Sequence, residues 1–459
     1  MPGLAKCGCY SFWADSAPSI IAPIYEIISV TVVRWNAWLL ISASVCAFPV
    51  IAQAQVSPLV TQPIDEARLV TLHGSVHPLA RTGIDQGMVP DSFPAQRLIL
   101  LLNRPPEREA ALQQFLQAAH TRGSASYHKW LTPEQIGEQF GPADADVQTV
   151  TGWLNSHGLQ VAKTSKSGQF IEFSGTAGQL REAFHTEIHQ YSVNGVTQYA
   201  NANEIRIPEA LALLVGGVSP LNSFYTKPSL QVVGPASYSR STGKTTPQWT
   251  IPNPNGAGNF YAVAPEDIAT QYDLGPLYKA GVNGTGQTIG IINESNVDLS
   301  LVQDYHNLFG LSSPMPQVIE DGADPGTMSV VDIEAYLDIE EAGAVAPGAN
   351  VDLYISDASS LADPLYTAAL RAVEDNQASV LSLSFQNCEG YFTQAGNALW
   401  SGIWEQAAAQ GQTVLVSSGD SGSAGCDDAN DQWTTSYGLA VNGLASTPWN
   451  VAVGGTDFY

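Results

Sequence analysis

Beyond residue 288 the sequence repeats one kind of segment: a short, nearly all-apolar run, with helical stretches between most of them. The runs are Thr288–Asn293 (TIGIIN), Asn350–Ile355 (NVDLYI), Ser379–Phe385 (SVLSLSF), Thr413–Ser418 (TVLVSS) and Asn450–Val453 (NVAV). Apolar residues at helical spacing fill Val330–Pro347, Pro364–Asp375 and Asn397–Gln410. A sheet with one wet face alternates apolar and polar residues. Runs that are apolar throughout need cover on both faces. The pattern predicts an α/β domain whose mostly parallel sheet carries helices on each side. Ligands bind such sheets beyond the carboxyl ends of the strands. Those ends carry Glu294, then Gln386, Asn387 and Cys388, then Gly419 and Asp420. Cys388 and Cys426 each follow a strand end and are expected to pair across that rim.

The helix read over Val330–Pro347 places Glu334 and Asp338 one turn apart on one stripe. Two carboxylates held close have pKa values pushed apart, so one can hold a proton while the other can take one. On spacing alone a solvated acidic face is the simpler explanation. The surroundings favour chemistry. From Asn259 to Tyr459 the basic residues are Lys279 and Arg371, within a chain of 459 residues and net charge -25. That balance excludes nucleic acid as a partner, because phosphates would meet no cations. It also predicts an acidic working environment, where such carboxylates are partly protonated. An ordinary acidic secreted protein is the alternative.

Arg34–Ala54 (RWNAWLLISASVCAFPVIAQA) has a positive charge, an apolar run and an Ala-x-Ala pattern at Ala52 and Ala54. It reads as a secretory signal at the end of an extension covering 1–54, with a single-span anchor as the alternative and no stable membrane association once it is removed. Its removal takes away Cys7, Cys9 and Cys46 and leaves Cys388 and Cys426. Residues 57–225 mix strands (Arg97–Leu102, Gln169–Phe173, Glu187–Tyr191) with helices (Glu107–Arg122, Asp144–His157, Ala177–Phe184), and Ser126–Pro142 reads as a loop. These elements predict a small α+β sandwich of the split βαβ, ferredoxin-like type. Its histidines are scattered, which argues against a metal site. Residues 226–258 lack any apolar period and are rich in Pro, Gly, Ser, Thr and Asn, an exposed linker suited to proteolytic nicking.

Gly419–Ser423 (GDSGS) imitates the nucleophile turn of trypsin-like enzymes, but that architecture is all-β and needs a histidine base. From Asn259 on, the one histidine is His306, inside the helix read over Val302–Leu308. No Ser-His-Asp triad can be assembled in the usual way. A hydrolase here needs a carboxylate base, suited to a pH near its own pKa.

At these residues the chain resembles the sedolisin (serine-carboxyl) peptidases, and within them the kumamolisin-like members. Glu334–Pro347 is similar to the family's signature helix. SSGDSGS (Ser417–Ser423) and ASTPWNVAVGGT (Ala445–Thr456) resemble its next two blocks, and Leu98–Phe224 resembles its activation propeptide. The resemblance implies a subtilisin-like peptidase domain over 259–459, incomplete at its C-terminus. It implies Glu334 as general base, Asp338 as the acid that orients it, and Asp420 as the acid completing an oxyanion hole. Glu294 corresponds to an outer glutamate extending the proton network. Phe385 stands where kumamolisin-like members often have Trp, so that donor is absent or rebuilt. The front domain is expected to cap the strand-end cleft and to help the second domain fold. Polypeptides are the implied substrates, and self-cleavage in acid the implied activation. The family's SGTS-type nucleophile and its calcium site would lie downstream of Tyr459, so the polypeptide as given is expected to be inactive. A non-catalytic secreted fragment or decayed homologue is the alternative. A glycosidase using Glu334 and Asp338 is a minor one, since glycosidase carboxylates flank a substrate rather than stack on one helix.

Overall fold

The computed structural model describes residues 56–226, 228, 230, 236–247, 263–357, 359–427 and 437–456. The signal expected over 34–54 lies outside them, as does most of the linker.

The front domain is built on the strand Pro94–Leu102. Its Leu98, Leu100 and Leu102 pack with Trp153, Leu154, Leu180 and Phe184 from the helices Asp144–Ser156 and Ala177–Phe184. Ile99 and Leu101 enter a second cluster, with Trp400, Ile403 and Trp404 of the second domain. The run RLILLL is apolar at successive positions because both faces of this antiparallel strand are covered. The sheet order is Gln160–Thr164, Phe170–Thr176, Pro94–Leu102, Val215–Val218, with every neighbour antiparallel. That order is the split βαβ arrangement the sequence predicts. A register shift between Ala95 and Leu98 contains Arg97 at φ 58, a left-handed bulge that re-aims one side chain.

Two local expectations are corrected. Pro133–Phe140, inside the stretch read as a loop, is a helix with Pro at its start. Thr132 and Gln135 form a reciprocal capping box there, a signal legible as Thr-x-x-Gln. Within the expected linker, Ala236–Ser239 and Lys244–Pro247 pair as an antiparallel hairpin.

Among the described residues the second domain has six parallel strands: β1 Thr288–Ile292, β2 Gln317–Asp321, β3 Asn350–Ser356, β4 Val380–Leu383, β5 Thr413–Ser417 and β6 Val451–Val453. They run in the order β2-β3-β1-β4-β5-β6. Strand β2, with only two apolar residues among QVIED, escapes the sequence reading because it is an edge strand paired on one side. Helices α1 Leu299–Phe309 and α2 Val331–Val345 cover one face through Val302, Ala335 and Ile339, against Ile291, Val351, Leu353 and Ile355. Helices α3 Pro364–Asp375 and α4 Gln394–Gln410 cover the other, against Ile292, Tyr354, Leu381 and Val416. The strand order turns back around β1, so the carboxyl ends of β1 and β4 flank the crevice where such folds bind ligands.

The front domain contacts both the strand-end rim and helix α4. It lies against α4, which is buried on both sides and so carries apolar residues around most of its circumference. Gly217 is required at this contact, since a Cβ there would stand 2.5 Å from the Cβ of Ala395. At this interface Glu405 accepts from Arg104 at 2.6 Å and from Gln113 at 2.6 Å. At the strand-end rim Arg97 bonds the Asp321 carboxylate at 2.6 Å and also reaches Asp357. The segment after the front domain's last strand meets the rim as well, where Thr226 N donates to Asp363 Oδ2 at 2.9 Å.

Candidate active site

Helix α2 begins at Val330 with no side-chain cap and with φ 79, a strained value for a β-branched residue. It brings Glu334 and Asp338 inward beside the end of β4. Glu334 is 6% exposed. Burial first, and then the charges of Asp338 and Asp420, push its carboxyl up to about 8. Both neighbours therefore face it: the structure brings Glu334, Asp338 and Asp420 into one electrostatic group. Burial pushes Asp338 up to about 6, against a hydrogen bond that favours its charged form. That bond is donated by Ser384 Oγ to Asp338 Oδ1 at 2.9 Å. Asp338 Oδ2 is buried and has no hydrogen-bond partner.

Ser384 is the residue that sequence reasoning missed. Attention fell on Phe385, whose ring is wholly buried in the core of α3 and α4. Phe385 offers no side-chain donor. The preceding residue points to the opposite face of the strand end and supplies one. Strand alternation through Ser382, Leu383, Ser384 and Phe385 was the available signal.

Asp420 stands on the turn after β5, open to solvent on one side, with burial of the rest raising its carboxyl. Its N–H donates to Gln386 Oε1 at 2.9 Å, which ties the turn to the end of β4. Gly419 before it has φ 89, and a Cβ there would meet the same Gln386 oxygen at 2.3 Å. Beneath the turn, buried Asn442 donates to Phe385 O at 2.9 Å and Ser417 O at 2.8 Å and accepts from Asn387 N at 3.1 Å. One amide thus pins the ends of β4 and β5 together. Cys388 and Cys426 form a disulfide on the same rim. It closes a loop of 38 residues, worth on the order of 4 kcal/mol in a chain-entropy treatment.

Glu294 lies beyond β1, 5% exposed, and its carboxyl partner is Asp363. Burial raises it well above an ordinary glutamate, followed by the charge of Asp363 and a hydrogen bond to it. Asp363 is the N-cap of α3, accepting from Leu365 N at 3.0 Å. His306 faces Ser313 at 3.3 Å, away from this group, and burial lowers it. Among the described residues no three His, Cys, Asp or Glu side chains are placed to hold a metal ion. Among the described residues no helix is long and apolar enough to cross a membrane.

Comparison with known proteins gives the same direction for both halves. The family described as Pro-kumamolisin, activation domain, matches residues 85–224. Sedolisin of Pseudomonas sp. (strain 101) is 32% identical over 360 residues, covering 76% of this chain and 58% of its own length. Xanthomonalisin of Xanthomonas sp. (strain T-22) is 31% identical over 376 residues, covering 75% of this chain and 44% of its own. Kumamolisin of Bacillus sp. (strain MN-32) is 28% identical over 405 residues, covering 85% of this chain and 67% of its own. The chain spans about half to two thirds of the length of these relatives.

Proposed function

The chain belongs to the sedolisin family, with an activation domain ahead of its peptidase fold, and from that premise we propose that it is a secreted serine-carboxyl endopeptidase zymogen, or part of one, acting in acid. The observation that carries the reading is the raised carboxyl of buried Glu334, faced by both Asp338 and Asp420. Burial raises both Glu334 and Asp338, so the pair retains a proton that its two members can share. When the shared proton sits on Asp338, Glu334 is the base that takes a serine hydroxyl proton as the hydroxyl attacks the peptide carbonyl. It then returns that proton to the leaving amine. Asp420, while protonated, donates a hydrogen bond to the oxyanion that forms, which favours acidic conditions. Ser384 holds Asp338 in place throughout.

The resemblance puts the nucleophile serine downstream of Tyr459, and we propose that residues 1–459 by themselves are inactive. Family calcium would be bound there too, and no step above uses it. A glycosidase is disfavoured, because Glu334 and Asp338 stack along one helix instead of flanking a cleft. The test is acid-pH hydrolysis of a quenched peptide by the chain extended with its in-frame downstream sequence. Turnover abolished by Glu334→Ala is expected. Turnover that survives Glu334→Ala would overturn the glutamate-base reading, and turnover by residues 1–459 alone would overturn the fragment reading.

A further inference from the structure

The guanidinium of Arg97 leaves its own domain and ends in a pocket of the other. Its Nη2 donates to Asp321 Oδ2 at 2.6 Å. Its Nη1 donates to Asp321 O, to Asp357 Oδ1 and, at 3.0 Å, to Ser356 Oγ. These four acceptors stand at the carboxyl ends of β2 and β3, and all belong to the second domain. Ser356 is wholly buried, with its hydroxyl fixed between Asp321 O at 3.1 Å and Thr367 Oγ1 at 2.8 Å. Gly322, at φ 112, keeps the space open, since a Cβ there would strike both the guanidinium and the Asp357 carboxylate. The front domain adds Glu172, which accepts from Nε at 3.0 Å, and Lys163, 3.1 Å from Asp321 Oδ1. Arg371 of the second domain lies farther off, 3.7 Å from Asp321 Oδ1, and is held by Asp375 at 2.7 Å.

We propose that Asp321, Ser356 and Asp357 form an arginine-recognition pocket of the second domain, filled by Arg97 in this chain and by an arginine side chain of a polypeptide substrate once the front domain has left. The pocket is marked by its occupant and not by its acidity. Acceptors on three residues meet both terminal nitrogens of a planar fork, a spread that the point charge of an ammonium does not span. Departure of the front domain takes Arg97, Lys163 and Glu172 together and leaves Asp321 and Asp357 facing Arg371. Strand β3 is separated from β4 by β1 alone. At about 4.8 Å per strand and about 3.3 Å per residue, an extended peptide laid across the strand ends from Glu334 reaches the pocket roughly three residues from its reacting bond. Naming the occupant a substrate rests on the peptidase reading; the pocket itself does not.

Propylguanidinium added to full-length Arg97→Ala at pH 7 tests the pocket without any turnover. At ten times its Kd it is expected to raise the folding constant of Arg97→Ala about tenfold, read by chemical unfolding. Wild type, whose pocket is full, should not respond, and propylammonium should be several-fold less effective. Adding Asp357→Asn to Arg97→Ala should remove most of the gain. If Arg97→Ala does not fold unaided, its refolding yield in each compound is the readout. No gain from propylguanidinium by either readout, or an equal gain from propylammonium, would overturn the pocket. The occupant is tested with the chain extended by its in-frame downstream sequence, on peptides carrying Arg, Lys or Gln at the third residue to either side of the reacting bond. On one side kcat/KM is expected to favour Arg over Gln about tenfold, and Asp357→Asn should abolish that preference. Turnover without it would overturn the substrate assignment while leaving the peptidase reading intact.

Discussion

In the front domain carboxylates sit beside cations and amides; in the second domain they sit beside one another. Asp91 is lowered by hydrogen bonds from Arg181, and Asp85 by the Gly87 N–H and then by His189. Burial would raise Glu204, but bonds from Ser75 and the charge of Arg81 outweigh it. In the second domain burial raises Glu334, Asp338, Glu340 and Glu341, all on α2, and no cation offsets it. Asp298 and Asp324 are lowered exceptions, through hydrogen bonds at the surface. The difference teaches that one chain carries two opposite responses to acid. A carboxyl raised on folding binds its proton more tightly when folded, so α2 gains stability as pH falls from about 8 towards the unfolded value of 4.5. Carboxyls lowered on folding lose their contribution as pH falls through their folded values. Acid tightens helix α2 and loosens the domain that covers α4.

The largest break in this contrast is expected at Arg97, where the two domains exchange charge. Arg97→Ala leaves Glu172 and Asp321, both nearly buried, with the half-exposed Lys163 as their shared cation at 3.2 and 3.1 Å. Chemical unfolding is expected to show a loss of about 3–5 kcal/mol, and a loss under 1 kcal/mol would show that the pairs are relaxed by water. Next in size is the pH response itself. Segment-resolved hydrogen exchange between pH 8 and pH 5 should slow across α2, by an amount equivalent to a few kcal/mol. Glu334→Gln should remove much of that change, and an α2 that exchanges faster in acid contradicts the sign. A smaller effect is expected at Ser384. Ser384→Ala should raise the Asp338 pKa by about one unit, read from carboxyl carbon shifts, with Ser384→Thr restoring it. An unchanged titration would make Ser384 a bystander. Smallest is Thr132→Ala, which removes a capping box in the front domain and should cost about 1 kcal/mol, with no effect on the carboxyl titrations of α2.

Much of the architecture was legible because burial on both faces writes itself into composition. The strands β1, β3, β4 and β5 and the helices α2, α3 and α4 follow from apolar runs and helical spacing. Edge elements were harder: β2 pairs on one side and keeps charged residues, and the helix Pro133–Phe140 depends on a cap more than on a stripe. For the site, the stripe Glu334–Asp338 was legible from spacing, and Asp420 from its place after a strand. Ser384 was overshadowed by its neighbour. Asp363 read as an ordinary helix start, because nothing local says that a glutamate from β1 and a threonine from the front domain meet there.

The sequence by itself determined the layers, the shared stripe of two acids, and the shortage of cations around them, since each is a matter of local period or composition. Tertiary structure alone decided which carboxyl faces which. That choice depends on strand order, which carries Glu294 to Asp363 and Ser384 to Asp338 across 69 and 46 residues of chain, measured from the numbering. Proton sharing acts over a few ångströms, and no local pattern encodes a distance between residues so far apart.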